Sequence, residues 1–368
     1  MSFDATLLAN AAVSALRAYD PGHDLPTLRQ RFGAALSELG SNENPLGPSP
    51  AAIAAAREAV GTMWRYPDPV GASLKRVLAD RLGVETCQLV LGNGSHELLM
   101  LLAQCFADAA HSVVYSQFGF AVFPIATAAA GAQGIAVPAL PSDHPEAPFG
   151  HDLDAMAAAI RTDTRLVYLA NPNNPTGSSF GDAELEAFMA CVPGHVIVVV
   201  DEAYHEYVDR PGLSTAMHLL DRYRNLVVTR TFSKAYALAG LRTGYLAADA
   251  SIAAVLERLR ESFNVNGIAL AAAEAALGDE AHLGRVRDTN ASDRAWLAGE
   301  LVARGLRVFP SQTNFLLVDI GGDASALEAR LFAAGVIVRP MGGYGLGQTV
   351  RISIGSRGEL DRLLEHLK

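Results

Sequence analysis

Cysteine is scarce in this chain, with three residues in 368 (Cys87, Cys105 and Cys191) and no Cys-x-x-Cys pair. That count and spacing exclude a disulfide framework and a thiolate metal site, and they fit a reducing compartment. Long apolar runs are also missing, and none reaches the roughly 20 residues that a membrane span needs. The first ten residues have neither a basic start nor a long apolar stretch, so they do not read as a signal peptide. Charged residues make up only 18% of the chain and sum to −10, which argues against nucleic acid or an anionic membrane as partner. The chain reads as soluble and cytoplasmic.

What is present is apolar. Half of the residues are hydrophobic, and 368 residues suffice for two domains or for one large α/β domain with a smaller one attached. Short β-branched runs alternate with longer helical patterns. The clearest runs are Leu89-Val90-Leu91, Val113-Val114-Tyr115, Leu166 to Leu169, Val196 to Val200 and Leu226 to Val228. Between them, Glu97 to Phe106 and Ala183 to Cys191 carry apolar residues at helical spacing. This alternation predicts an α/β fold: a mostly parallel central sheet with helices on both faces. From about Asp279 the texture changes. A long helix (Arg285 to Arg304) precedes strand-like runs at Phe315 to Val318, Val336 to Arg339 and Val350 to Ile354, which predicts a smaller α+β domain. The expected division is an arm over 1–40, a large domain over 41–278 and a small domain over 279–368.

Parallel sheets place their ligands beyond the carboxyl ends of their strands, and the polar motifs of this chain fall there. Lys234 follows the run Leu226 to Val228 within Thr231-Phe232-Ser233-Lys234. Desolvation at such a strand end lowers a lysine's pKa, and the neutral amine is the usual Schiff-base nucleophile. Taken alone it reads better as a surface lysine; the groups upstream change that. Asp201 ends Val196 to Val200, where a buried carboxylate needs a cationic or donor partner, and a protonated pyridine nitrogen is one such partner. A helix-capping role suits that residue equally well in isolation. Gly92-Asn93-Gly94-Ser95 opens the helix from Glu97 and offers glycine turns and free amides to a phosphate, but it lacks the third glycine of the dinucleotide fingerprint. Asn171 to Gly177 is a turn-rich loop in which a fixed asparagine could bond a cofactor hydroxyl. The Glu202-x-x-His205 spacing is not a di-iron site, since it follows a strand and has no second copy. His144 and His151, in a proline-rich loop, read as solvated side chains, and no metal is expected.

Together these stretches resemble the fold-type I pyridoxal-phosphate aminotransferases, and among them the histidinol-phosphate aminotransferases. The matching segments are Ser41 to Ser49, Arg65 to Asp68, Gly92 to Glu97, Asn173 to Gly177, Asp201 to Tyr204, Ser233-Lys234 with Arg242, and Arg351 to Gly355. They span nearly the whole chain in order. The resemblance implies pyridoxal 5′-phosphate as cofactor, with Lys234 as Schiff-base lysine and proton shuttle. It implies that Asp201 pairs with the ring nitrogen, that Asn174 and Tyr204 contact the ring hydroxyl, and that Phe118 stacks on the ring. Gly94, Ser95, Thr231, Ser233 and Arg242 are expected to hold the phosphate. Tyr66 is expected to reach in from a neighbouring subunit, which implies a homodimer with shared sites. Tyr19, Asn44, Arg339 and Arg351 are expected to bind substrate, since an arginine fork accepts a carboxylate or a phosphate alike. The implied reaction takes an amino donor and a 2-oxo acid: L-histidinol phosphate and 2-oxoglutarate to imidazole-acetol phosphate and L-glutamate. Transamination of aromatic amino acids and decarboxylation of phosphothreonine are the alternatives on the same scaffold. Three positions depart from the family's pattern: His96 stands where an aspartate is common, Phe118 lacks a tyrosine hydroxyl, and His23 stands where a lysine is frequent.

Overall fold

The computed structural model of the chain describes residues 3–9, 11–14, 16 and 23–367. Its strands are β1 (Ser37–Glu38), β2 (Leu89–Gly92), β3 (Ser112–Ser116), β4 (Gln133–Val137), β5 (Thr164–Ala170), β6 (Ile197–Asp201) and β7 (Leu226–Thr231), followed by β8 (Gly244–Ala248), β9 (Arg307–Val308), β10 (Phe315–Asp319), β11 (Val336–Ile337), β12 (Arg339–Met341) and β13 (Leu346–Ser353). A central sheet of seven strands runs in the order β2-β8-β7-β6-β5-β3-β4. From β4 to β7 every pairing is parallel, and β8 runs antiparallel to both of its neighbours. The expected α/β class is therefore the observed one.

The inner strands are apolar on both faces because both faces are covered. In β6, Val198 and Val200 point into one cluster with Val167, Val228 and the helix residues Leu74 and Leu78. Val199 points the other way, into a cluster with Leu98, Leu102 and Tyr168. The Ser95–Phe106 helix covers that second face through Leu98, Leu99 and Leu102, all fully buried. By contrast β4, at the sheet edge, buries only Val137. An edge strand with a single buried residue carries no period-2 signal, so the sequence reading passes over it.

The C-terminal part forms an antiparallel sheet in the order β12-β13-β10-β9. Its core holds Leu316, Val350, Ile352 and the helix residues Leu297 and Leu301. The Glu280–Ala303 helix spans both parts: Leu283 and Val286 join the large core, Leu297 and Leu301 the small one. The strand-like run Val336 to Arg339 is broken in two. β11 pairs in parallel with β1, and Leu39, fully buried, belongs to the C-terminal core. Among the described residues no helix is long and apolar enough to cross a membrane.

Candidate active site

A cavity of about 270 Å³ lies beyond the carboxyl ends of β5, β6 and β7, walled on its far side by β12 and β13. Parallel pairing puts those three ends level: Ala170 is opposite Asp201, and Asp201 is opposite Thr229. The sheet wall thus carries Asn174, Asp201, Tyr204, Thr231, Ser233 and Lys234, and the start of the Ser95–Phe106 helix adds Ser95 and His96. Arg242 closes that side. From the opposite wall come Arg339 and Arg351, with Glu38, Gly40, Ser41 and Asn42 from the N-terminal segment.

Asp201 is buried, and the Thr229 hydroxyl donates to its Oδ1 at 2.9 Å. Burial pushes this carboxyl up to about 7, against hydrogen bonds from Thr229 and the Ala203 backbone that favour the anion. It is an acid whose charge waits for a cationic neighbour. Lys234 shows the complementary shift. Desolvation, followed by the field of Arg351, lowers its ammonium to about 8. Its Nζ donates to the Ser41 carbonyl at 3.3 Å and lies 5.8 Å from the centre of the Tyr204 ring. At pH 7 about a tenth of such an amine is unprotonated and nucleophilic, far more than of an ordinary lysine.

A third group of residues is shaped for a phosphate. Gly94 has φ +83°, and a Cβ there would stand 2.7 Å from Arg242 Nη2. A Cβ on Gly244, directly across from Gly92, would stand 2.7 Å from the Ser95 amide nitrogen. The two glycines therefore let the strand and the Arg242 guanidinium approach the helix start closely, and a helix start beside a guanidinium suits an anion. Arg242 Nη1 donates to Ser233 Oγ at 3.3 Å, and Thr231 Oγ1 donates to the same oxygen at 3.0 Å. His96 belongs to that helix start; burial, then the charge of Arg242, lowers its pKa and keeps the ring neutral.

On the far wall, Arg339 and Arg351 are direct cross-strand partners between β12 and β13, and both line the cavity. Two arginines from adjacent strands lining one cavity suit an anionic ligand. Arg351 is held in place by Asn174 Oδ1 at 2.7 Å and the Gly40 carbonyl at 2.5 Å. Asn174 thus joins the two walls.

Other expected residues lie elsewhere. Tyr66 is 83% exposed and stacks on Phe263 with ring centres 4.7 Å apart. Phe118 is buried edge-on against Phe149, and Phe120 is the phenylalanine that lines the cavity. Asn44 shapes a turn: its Nδ2 donates to the Ala235 carbonyl, and its Oδ1 accepts from Leu46. Tyr19 falls outside the described residues. His151 is a correction. It is buried, not solvated, because its Nε2 accepts the Ala170 backbone N–H at 3.0 Å beneath the cavity, and burial lowers it to about 4. Glu202, from the rejected di-iron spacing, takes two hydrogen bonds from Arg230, at 2.9 and 2.7 Å. Asn42 and Glu38 went unrecognised as cavity residues, since an asparagine in a loop and a glutamate in a two-residue strand carry no signal of their own.

Comparison with known proteins gives a consistent result. Residues 35–367 match the family model described as aminotransferase class I and II. "Histidinol-phosphate aminotransferase 1" of Nitrosococcus oceani is 46% identical over 362 residues, covering 98% of this chain and 96% of that protein. "Histidinol-phosphate aminotransferase 2" of Pseudomonas aeruginosa is 47% identical over 367 residues, covering 99% and 98%. The crystal structure of histidinol-phosphate aminotransferase from Sinorhizobium meliloti in complex with pyridoxal-5′-phosphate superposes with a TM-score of 0.88 at 33% identity, covering 98% of this chain and 96% of that one.

Proposed function

The chain belongs to the class I and II aminotransferase family, and on that premise we propose that it is a pyridoxal-phosphate-dependent transaminase. In this reading it moves the amino group of L-histidinol phosphate to 2-oxoglutarate, giving imidazole-acetol phosphate and L-glutamate. One observation carries it: the paired guanidiniums of Arg339 and Arg351 share a single cavity with Lys234 and Asp201.

The residues present fit the cofactor. A pyridinium nitrogen suits Asp201, whose carboxyl burial raises to about 7 even against the charge of Lys234. The helix start beside Gly94 suits a phosphate, which Ser95, Ser233, Thr231 and Arg242 would hold; the Gly94 N–H is given to the Gly92 carbonyl. Asn174 and Tyr204 border the cavity where a ring oxygen would be bonded. Bound there, the cofactor supplies a sink for the electrons left when the substrate Cα–H bond breaks.

The rest of the chemistry belongs to the chain. Lys234 Nζ, lowered to about 8, would take the proton from the substrate Cα and hand it to the cofactor's C4′ carbon, on the far side of the amino nitrogen. Asp201, charged against the ring nitrogen, keeps that nitrogen protonated. Arg351 and Arg339 bind the distal anion, and a guanidinium fork accepts the phosphate of one substrate and the carboxylate of the other. Residues 41–278 act as the unit that holds the cofactor, and residues 279–368 as the unit that presents the anion-binding strands.

A second copy of the chain completes the site by lending Tyr66. Its support is the exposed apolar patch of Met63, Trp64 and Tyr66, at 73%, 72% and 83%. A monomer in sedimentation would refute that sharing. The three cysteines are free thiols, which suits a reducing cytoplasm.

The substrate is tested by mixing the cofactor-loaded protein singly with histidinol phosphate, phenylalanine and phosphothreonine while following its visible absorbance. Fast loss with histidinol phosphate is expected. Much faster loss with phenylalanine would make this an aromatic amino-acid transaminase, and carbon dioxide released from phosphothreonine would make it a decarboxylase.

A further inference from the structure

We propose that Glu38 is a positioning residue whose carboxylate clamps the Gly40-Ser41 peptide and thereby aims Arg351 at the substrate's anion. The proposal deepens the transaminase reading given above and rests on it for the role of Arg351.

Glu38 ends β1, opposite Ile337 of β11, and its side chain lines the cavity. The carboxylate turns back over the residues that follow. Its Oε1 accepts the Gly40 backbone N–H at 3.1 Å, and its Oε2 accepts the Ser41 backbone N–H at 3.3 Å. The Ser41 hydroxyl adds a bond to Oε1 at 3.2 Å. A peptide N–H can only donate, so the two backbone bonds have one possible direction. The missing side chain of Gly40 makes room for them: a Cβ there would stand 3.2 Å from Oε1 and 3.6 Å from the Ile337 side chain. Burial raises the pKa of this carboxyl, and the Gly40 N–H acts against that by favouring the anion.

The far side of the same peptide holds the arginine. The Gly40 carbonyl accepts from Arg351 Nη2 at 2.5 Å, and a carbonyl can only accept. That carbonyl and the Ser41 N–H belong to one planar trans peptide and point in opposite directions. One end of the plane is therefore held by a carboxylate and the other by a guanidinium, which fixes its rotation from both sides. The charges match the peptide's own polarity, with the anion at N–H and the cation at C=O. The next carbonyl along, that of Ser41, accepts from Lys234 Nζ at 3.3 Å, so one short turn touches both the lysine and the arginine.

Position and charge make opposite demands on this residue. As a bare negative charge lining the cavity, Glu38 repels an incoming anion, and its removal would tighten anion binding. As a clamp it steadies the acceptor that orients Arg351, and its removal weakens anion binding.

The test is the affinity of the cofactor-loaded protein for 2-oxoglutarate, measured by titration calorimetry in the absence of an amino donor. Glu38→Ala loses every clamp bond and is expected to weaken binding about tenfold. Glu38→Gln keeps the length and one acceptor oxygen, and is expected to weaken binding only about threefold. The two variants are equally neutral, so the difference between them reports the clamp with charge cancelled. A merely structural role would lower the melting temperature and leave the affinity in place. Equal affinities for the two variants, or a folded Glu38→Ala that binds as tightly as the wild type, would overturn the proposal. Should Glu38→Ala not fold, tighter binding by Glu38→Gln than by the wild type would overturn it too. A wild-type protein that shows no visible cofactor band, or does not bind 2-oxoglutarate, would instead overturn the transaminase reading, and the clamp's role with it.

Discussion

The sheet wall of the cavity sets Asp201, Ser233 and Lys234 within three residues of consecutive strand ends, whereas the opposite wall gathers Arg339, Arg351 and the Gly40–Asn42 segment from the two extremes of the chain. The first wall is positioned by backbone ladders and two buried helical layers. The second is held by side chains that reach across more than a hundred residues, such as Arg351 to Asn174 and Asn42 to Tyr204. A group on the sheet wall can be removed with the fold left intact, so its loss shows in chemistry. A group on the far wall sets its neighbours' positions, so its loss shows in binding as well.

The largest expected effect lies on the sheet wall. Lys234→Ala removes both nucleophile and proton carrier and should lower the transamination rate by about 10⁴-fold or more, with unchanged circular dichroism and melting temperature. Single-turnover kinetics would show it, and normal turnover would sink the mechanism. Next comes the far wall. Arg351→Ala should cost about 2–5 kcal/mol in kcat/KM for both substrates, because it leaves an anion facing Arg339 alone. Arg351→Lys should recover part of this, since an ammonium keeps the charge and loses the fork. Steady-state kinetics with each substrate varied in turn separates the two; an effect on one substrate only would refute a shared anion site.

The smallest effect at neutral pH concerns the support beneath the sheet wall. His151 stays neutral in the fold down to about pH 4, whereas an unfolded histidine takes a proton near 6.5. Between those values the unfolded chain binds more protons, so stability falls as pH drops from about 6.5 to about 4, by roughly 3 kcal/mol. In His151→Gln the amide oxygen can still accept the Ala170 N–H, and this variant should lose less stability over the same window. Urea midpoints at pH 7 and pH 4.5 would measure it, and parallel slopes for the two proteins would remove His151 from the account.

The two walls were also unequally legible. β5, β6 and β7 announce themselves as β-branched runs, and polar residues just past such runs can be placed at a parallel sheet's ligand edge without knowing the tertiary structure. Lys234 and Asp201 were singled out on that ground, and Ser233 by the family resemblance. The loop asparagines around the two walls offer no such rule. Asn42, Asn44, Asn171, Asn173 and Asn174 look alike in sequence, yet Asn42 serves Tyr204, Asn44 a turn, Asn171 the Phe180 backbone, Asn173 the Phe118 carbonyl and Asn174 an arginine. Which partner each amide meets is decided by packing between segments far apart in the chain. His151 was misjudged for the same reason: a proline-rich surrounding suggested solvent, and the buried end of β5 supplied a backbone donor instead.

The cross-strand facing of Arg339 and Arg351 has a consequence at the bench. Two arginines lining one cavity act toward small ions much as an exchange resin does. Phosphate or sulfate in the buffer competes for the place that the substrate's anion takes, and it steadies the folded chain while raising the apparent KM. Part of any Michaelis constant recorded for this protein will therefore belong to the solution it was measured in.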